Sequence, residues 1–284
     1  MFSDVLMTVD FDRTMTGPDS KIPQRNLDAV AFFMENGGAF TVNTGRSVAS
    51  FRKHLGKIPV NAPVLMYNGS ARWENGRLTE LKELDMDTWE TLDFIRREFP
   101  NMNLEIQGVE EHYLVDPEDA YVDFYNALKW PYRIVKSGDD LGPFLKFALA
   151  GSPRSKGVST LFECTQEELA VFDAAQARIC ELWEGKVEVY RAASRIIDVH
   201  AKGVSKIAAA RQLQKELGKK ILVCVGDAEN DVPMLEGADY AFCPADGMVA
   251  DRFETVCNCA DGAVADVIYK KIPEILGFSL DIQG

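Results

Sequence analysis

Short apolar runs alternate with longer segments of helical periodicity at both ends of the chain. Val5–Val9 (VLMTV) and Ile221–Val225 (ILVCV) are near-continuous apolar runs, each followed by turn residues. Such runs are typical of strands that are buried on both faces of a parallel sheet. Apolar residues recur every three or four positions in Pro23–Asn36, which predicts a helix. The pattern therefore predicts an α/β fold with a doubly wound parallel sheet.

The middle of the chain has a different pattern of predicted helices and strands. Between residues 82 and 186, predicted helices alternate with short strands, and few runs read as buried parallel strands. This mixture is typical of a separate α+β domain. The sheet pattern is expected to return near Val187–Tyr190. We therefore predict a discontinuous core domain with an α+β domain inserted into it, at 1–81 and 187–284 for the core and 82–186 for the insertion.

Composition narrows the class of protein. The chain has 284 residues, of which 46% are hydrophobic and 26% charged, as expected of a soluble protein with a sizeable core. Its net charge of −13 argues against a nucleic-acid or anionic-membrane surface, because both need a basic footprint. The six cysteines lack the spacing of a disulfide framework or a zinc site. Without a signal-peptide pattern or a membrane-spanning run, we expect a cytoplasmic protein. The sequence does not distinguish a monomer from a homodimer.

Polar residues follow two of the predicted strands. Asp10 and Asp12 come directly after Val5–Val9, and Thr44-Gly45-Arg46-Ser47 follows the predicted strand Ala39–Asn43. Open α/β sheets place their chemistry at the carboxyl ends of such strands. Taken alone, each cluster also has an ordinary explanation: aspartates are common in turns, and a serine commonly caps a helix.

A third cluster of polar residues follows the apolar run Ile221–Val225, and together with the first two it suggests a candidate site. Ile221–Val225 ends in Gly226-Asp227-Ala228-Glu229-Asn230-Asp231, and Lys206 opens a predicted helix. Carboxylates are suitable ligands for a magnesium-type cation. Phosphoryl transfer needs a nucleophile, such a cation, and donors for the phosphoryl oxygens. A carboxylate nucleophile would form an aspartyl-phosphate, and a second carboxylate could serve as general acid and base.

Four segments in chain order resemble the motifs of the haloacid dehalogenase (HAD) superfamily of phosphatases: DFDRTMT, TVNTGR, GVSK and GDAEND. The insertion after Asn68-Gly69 resembles the larger caps of the Cof-type (type IIB) subfamily. The resemblance implies a Rossmann-like core with a type C2B cap that closes over the core site and selects the substrate. It also implies magnesium-dependent hydrolysis of a small phosphorylated metabolite, such as a sugar or polyol phosphate.

The resemblance also implies roles for the carboxylates. Asp10 would be the nucleophile and a Mg²⁺ ligand. Asp12 would be the general acid and base, with its main-chain carbonyl on the metal. Asp227 would complete the metal site, and Asp231 would orient water on the metal.

The remaining motif residues are implied to bind phosphate. Thr44 would bond a phosphoryl oxygen, with Gly45 beside it, and Lys206 would neutralise the nucleophile and the phosphate. Asn230 would either touch phosphate or support Lys206.

Two arginines keep alternative interpretations. Arg13 stands where the family usually has glycine. It either adds positive charge at the mouth of the pocket, which would suit a second anionic group, or points to solvent. Arg46 either contacts phosphate or holds the motif loop in place.

The insertion carries no motif that identifies a substrate. Its aromatic residues are expected to form its core, although one or two could line a pocket, and the three histidines share no metal-ligand spacing. Two alternatives to a phosphatase stay open, a sugar phosphomutase of the same fold and a non-catalytic phosphometabolite-binding protein.

Overall fold

The computed structural model describes residues 1–86, 88–154 and 163–280. The chain divides into two compact units. The first comprises Met1–Gly45, His54–Thr79 and Ser205–Gly284, and the second comprises Arg46–Lys53 and Glu80–Val204. Within the described ranges, no helix is both long enough and apolar enough to cross a membrane.

The described residues form fourteen strands and nine α-helices. In chain order, strands β1 to β14 are Val5–Val9, Ala39–Val42, Val64–Met66, Ala71–Glu74, Arg77–Thr79, Asn103–Gly108, His112–Val115, Tyr132–Val135, Phe144–Ala150, Val187–Ala193, Ile196–Ala201, Ile221–Val225, Tyr240–Pro244 and Glu254–Val256. Helices α1 to α9 are Gln24–Glu35, Val48–Phe51, Thr88–Glu98, Asp119–Leu128, Gln166–Leu182, Lys206–Glu216, Val232–Glu236, Ala263–Asp266 and Ile272–Leu276.

A five-stranded parallel sheet forms the centre of the first unit, in the order β14-β13-β12-β1-β2. Every residue of β1 is buried, as expected of a central strand with both faces covered. Leu6 and Leu222 pack with Leu213 of α6 and Leu235 of α7 in one apolar cluster. The predicted doubly wound parallel sheet is therefore confirmed.

The strand order brings the sequence motifs to one edge of this sheet. Val9, the last residue of β1, pairs with Val225 at the end of β12 and with Val42 at the end of β2. Because the three strands are parallel neighbours, the residues that follow them emerge at the same edge.

A six-stranded sheet forms the centre of the second unit, in the order β10-β11-β9-β6-β7-β8. Helices α3 and α5 cover one of its faces, where Ile95 and Ile179 pack against Ile106, Phe147 and Val199. The second unit is thus a layered α+β structure, as predicted for the insertion.

The predicted boundary at residues 186 and 187 was wrong. Strands β10 and β11, predicted to lie in the core, pair with each other and with β9 in the six-stranded sheet. The sequence Val187-Glu188-Val189-Tyr190 alternates apolar and polar residues, which is typical of an antiparallel strand with two different faces rather than of a buried parallel one. Residues 46–53, also predicted in the core, group with the second unit.

Candidate active site

A wide turn ends β1 and carries the first two aspartates. Asp10 is buried, and its carbonyl oxygen accepts a hydrogen bond from the Met15 amide at 3.2 Å. The Thr16 amide donates to the Phe11 carbonyl at 3.0 Å. These bonds reverse the chain directly after the strand, so the turn holds Asp10 and Asp12 at the edge of the sheet.

The backbone of this turn is unusual at Arg13. Its φ is +58° and its ψ is 11°, in the left-handed region that glycine adopts most readily. Its guanidinium Nε lies 4.0 Å from the Asp227 Oδ2, and the side chain is 40% exposed. Arg13 therefore lies beside a carboxylate at the sheet edge and does not simply point into solvent.

Lys206 joins two of the carboxylates. Its Nζ donates to Asp10 Oδ1 at 2.5 Å and to Asp231 Oδ1 at 2.6 Å, and all three side chains are buried. Ser205 caps α6 by accepting a hydrogen bond from the Ala208 amide, which fixes Lys206 as the first residue of the helix.

Short contacts also fix Asp227 and Asp231. Asp231 Oδ2 accepts hydrogen bonds from the Asp227 amide at 3.0 Å and the Ala228 amide at 3.1 Å. Thr14 Oγ1 donates to Asp227 Oδ1 at 2.9 Å. Both oxygens of Asp231 thus accept hydrogen bonds from protein donors. For Asp227 Oδ2, the one cationic partner among the described residues is the Arg13 Nε, at 4.0 Å.

Burial dominates the electrostatics of this cluster. It raises the pKa of Asp10 to about 7, an effect that the charges of Asp231 and Asp12 reinforce and that of Lys206 opposes. Burial, together with the charge of Asp10, also raises the pKa of Asp227. Burial alone would lower the pKa of Lys206, but Asp10 and Asp231 outweigh it and raise that pKa. One ammonium group is therefore surrounded by more negative charge than it neutralises.

The carboxylates fit a hard divalent cation. Asp10, Asp227 and Asp231 each offer an oxygen, and these atoms all lie within 4.8 Å of one another. Oxygen donors and an excess of buried negative charge are what Mg²⁺ or Ca²⁺ requires. The Asp12 side chain does not belong to this group of described residues, although its charge is close enough to raise the pKa of Asp10.

The loop after β3 supports the Thr44 segment. Thr44 is buried, its amide donates to the Leu65 carbonyl at 2.9 Å, and its carbonyl accepts from the Asn68 amide at 3.0 Å. A Cβ at Gly45 would lie 2.8 Å from Asn68 Oδ1, so glycine permits this close approach. The structure thus fixes Thr44 and Gly45 at the end of β2, as the motif order predicts.

Asn230 belongs to the first unit, whereas Arg46 groups with the second. Asn230 is half-buried, and no hydrogen bond joins it to Lys206 in the described parts of the chain. The Arg46 Nη1 donates to the Ser50 carbonyl at 3.3 Å, within the second unit.

Sequence reasoning missed two residues that hold the site together. In the sequence Thr14 simply follows the aspartate pair by two positions, yet its side chain donates a hydrogen bond to Asp227. Asn43 is predicted as the end of a strand, yet its Nδ2 donates to the Lys206 carbonyl at 2.9 Å. Thr14 could have been found from its place in the DFDRT motif, whereas no local sequence feature distinguishes Asn43 from an ordinary strand-end residue.

Comparison with known proteins identifies the family. A sequence profile of the haloacid dehalogenase-like hydrolases matches residues 7–250. This chain belongs to that family. An uncharacterised hydrolase of Schizosaccharomyces pombe is 24% identical, over 93% of this chain and 89% of its own length. The profile and the structural neighbours together support a Cof-type member.

Solved structures share the fold of this HAD hydrolase. A HAD/COF-like hydrolase of Plasmodium vivax is 21% identical with a TM-score of 0.74, covering 96% of this chain and 97% of that one. A HAD subclass IIB sugar phosphatase, BT4131, is 14% identical with a TM-score of 0.72, covering 96% and 98%. At such identities the likeness concerns the fold, and it agrees with a HAD core carrying a C2B cap.

Proposed function

We propose that this HAD hydrolase is a magnesium-dependent phosphatase of a small phosphorylated metabolite, a sugar or polyol phosphate, acting through an aspartyl-phosphate. The observation that carries the proposal is the buried Lys206 ammonium, bonded to Asp10 and Asp231, with Asp227 in the same cluster. A single aspartate at a turn would need no such partners. A buried nucleophile that must meet a dianionic phosphate does need them.

Asp10 would act as the nucleophile. Lys206 holds its Oδ1 at 2.5 Å, so its Oδ2 would attack phosphorus, forming the O–P bond as the ester O–P bond breaks. Asp12 would protonate the departing oxygen and later take the proton of the water that hydrolyses the aspartyl-phosphate. Thr44, Gly45 and Asn230 would donate to the phosphoryl oxygens.

A divalent cation would be held by Asp10 and Asp227, with the Asp12 carbonyl as a further ligand. When bound, Mg²⁺ supplies positive charge that offsets the negative charge of the phosphate and the nucleophile. Asp231, whose oxygens already accept bonds from Lys206 and two amides, would act through its neighbours. The structural neighbour BT4131 is a sugar phosphatase, which supports the choice of substrate class.

A substitution at Asp10 tests the nucleophile. Asp10→Asn keeps the size of the side chain and removes the attacking oxyanion, so phosphate release from p-nitrophenyl phosphate should fall by at least about 1,000-fold. Asp4→Asn is the matched control, because Asp4 lies on the amino side of the same strand and pairs with the exposed Lys220. Full activity of Asp10→Asn would contradict the proposed mechanism.

Metal removal and product analysis test the rest of the proposal. Chelation of divalent ions should abolish hydrolysis, and added Mg²⁺ should restore it. A panel of phosphorylated metabolites should yield inorganic phosphate. Accumulation of an isomerised sugar phosphate would instead indicate a mutase, and binding without any turnover would indicate a non-catalytic protein.

A further inference from the structure

Hydrogen bonds from the protein hold Asp227 at two of its oxygens. Its carbonyl oxygen accepts a hydrogen bond from the Met248 amide at 2.7 Å, and its Oδ1 accepts one from the Thr14 hydroxyl at 2.9 Å. These two bonds fix the residue through both its backbone and its side chain. Oδ2 is therefore the oxygen of this carboxylate that is left to face a positive charge.

Arg13 brings a positive charge to that oxygen. Its Nε lies 4.0 Å from Asp227 Oδ2, and an arginine guanidinium stays protonated in proteins. The Arg13 amide donates to Thr16 Oγ1 at 3.2 Å, within the turn that follows β1. The turn fixes the point at which the side chain leaves the backbone, so the charge is tied to this edge of the parallel sheet.

A second carboxylate, Asp246, lies within the electrostatic reach of Arg13. Asp246 follows β13, and its two oxygens accept hydrogen bonds from the Cys259 amide at 2.9 Å and the Cys259 Sγ at 3.1 Å. Burial opposes the ionisation of Asp246, but the hydrogen bonds from Cys259 and the charge of Arg13 outweigh it and lower its pKa. The guanidinium therefore has a negative charge near it on β12 and another on the neighbouring strand's loop.

The other buried cation of the site is already committed. Lys206 Nζ donates to Asp10 and to Asp231, so Arg13 supplies the nearby positive charge at Asp227 Oδ2. A divalent cation held by Asp10 and Asp227 would place further positive charge beside the same guanidinium. Because opposite charges attract and like charges repel, Arg13 stabilises Asp227 in the metal-free protein and opposes binding of the cation.

We propose that Arg13 is an internal counter-ion of Asp227, which competes with the divalent cation for Oδ2 and thereby sets the metal affinity of the site. The inference rests on the proposed magnesium-dependent function and goes beyond it. It gives a role to the arginine that stands where the family usually has glycine, and Asp246 remains as a partner for the guanidinium while the cation is bound.

Removal of the charge tests the proposal. Arg13→Gln keeps a long polar side chain and a non-glycine residue at the left-handed position. Its dissociation constant for Mg²⁺, measured by calorimetry, should fall by about 3-fold to 10-fold, a modest change because the ion pair is partly exposed. Arg13→Lys keeps the charge, and its dissociation constant should stay within about twofold of the wild-type value.

Thermal unfolding provides a second readout that does not depend on activity. In the presence of a chelator, Arg13→Gln should unfold at a lower temperature than the wild type, because Asp227 has lost its counter-ion. The same concentration of Mg²⁺ should raise the unfolding temperature of Arg13→Gln by more than that of the wild type, since a ligand stabilises the protein that binds it more tightly. These midpoints also show that each variant folds.

Arg25→Gln is the matched control. Arg25 belongs to the same unit, its side chain is 45% exposed, and its Nη2 lies 3.2 Å from Asp266 Oδ1. This substitution changes the net charge by the same amount as Arg13→Gln, but away from the three candidate metal ligands. Its dissociation constant for Mg²⁺ should therefore stay within about twofold of the wild-type value, because distant exposed charges are screened.

The possible outcomes separate the two proposals. If neither the wild type nor Arg13→Gln binds Mg²⁺, the proposed magnesium site fails and the role of Arg13 fails with it. If the wild type binds Mg²⁺ and Arg13→Gln binds it no more tightly, the magnesium site stands and the role of Arg13 is rejected. Tightening of equal size in Arg25→Gln or in Arg13→Lys would also reject that role, because the effect would then not come from the charge beside Asp227.

Discussion

Thr14 donates a hydrogen bond of 2.9 Å to Asp227, although 213 positions separate the two residues along the chain. The contact exists because β1 and β12 are parallel neighbours, so the residues after each strand meet at the same edge. It fixes one oxygen of a carboxylate that stands among three candidate metal ligands. Thr14 is thereby a positioning residue for the proposed cation site.

Replacing Thr14 by valine tests this role. Thr14→Val keeps the volume of the side chain and removes the donor, so Asp227 should lose its fixed orientation. Because residues that orient metal ligands typically contribute 10-fold to 100-fold to affinity, Mg²⁺ binding measured by calorimetry should weaken by at least about tenfold. The control is Thr41→Val, since Thr41 is buried on β2 and donates to the Pro63 carbonyl. Unchanged Mg²⁺ affinity in Thr14→Val would reject the role.

The meeting of Asp10, Lys206 and Asp227 could be predicted from the sequence for a physical reason. Asp10 and Asp227 each follow a short apolar run, and Lys206 opens the helix that precedes the second of these runs. Such runs form neighbouring parallel strands whose carboxyl ends share an edge of the sheet. The prediction needs only the hydrophobic pattern and the positions of the charges. It does not need any detail of side-chain packing.

Other features could not be predicted, because they depend on contacts between distant residues. The segment Leu104–Gln107 alternates apolar and polar residues, a pattern that ordinarily predicts a strand with one solvent-exposed face. In the structure, however, Glu105 and Gln107 are buried. The left-handed backbone at Tyr67 and Asn68 is another example. Neither residue type requires that conformation, and packing around the loop imposes it.

The backbone at Arg13 leads to a prediction about stability. Its φ of +58° is a conformation that costs a non-glycine residue about 1 kcal/mol relative to glycine. Arg13→Gly should therefore be more stable than Arg13→Ala by about 1 kcal/mol in urea unfolding, since both variants lose the same side-chain contacts. Equal stability of the two variants would show that the turn relaxes when the arginine is removed.

Two glycines of the first unit separate backbone strain from crowding. Gly69 and Gly76 both have positive φ, of 96° and 80°. A Cβ at Gly69 would lie 2.6 Å from the Ser205 carbonyl oxygen, whereas a Cβ at Gly76 would meet nothing within 4 Å. Gly76→Ala should cost about 1 kcal/mol for its backbone alone.

Gly69→Ala should cost about 1–3 kcal/mol more than Gly76→Ala, because backbone must move to admit the methyl group. The measurement is the free energy of unfolding in urea for both variants at one pH. A similar cost for the two would mean that the loop at Gly69 moves away from Ser205 without strain.

The pKa of His112 predicts how stability depends on pH. Burial, which outweighs the nearby carboxylate of Glu105, lowers the pKa of His112 from 6.5 to about 4. Between those values the unfolded chain binds a proton that the folded chain does not, so stability is lost as pH falls below 6.5. The loss is about 1.4 kcal/mol per pH unit.

From pH 7 to pH 5, the wild type should therefore lose about 2 kcal/mol more than His112→Gln, which has no proton to bind. Urea unfolding at both pH values measures the difference, in which the second buried histidine, His200, cancels because both proteins retain it. An identical pH dependence in the two proteins would show that His112 is protonated in the folded state as readily as in the unfolded chain.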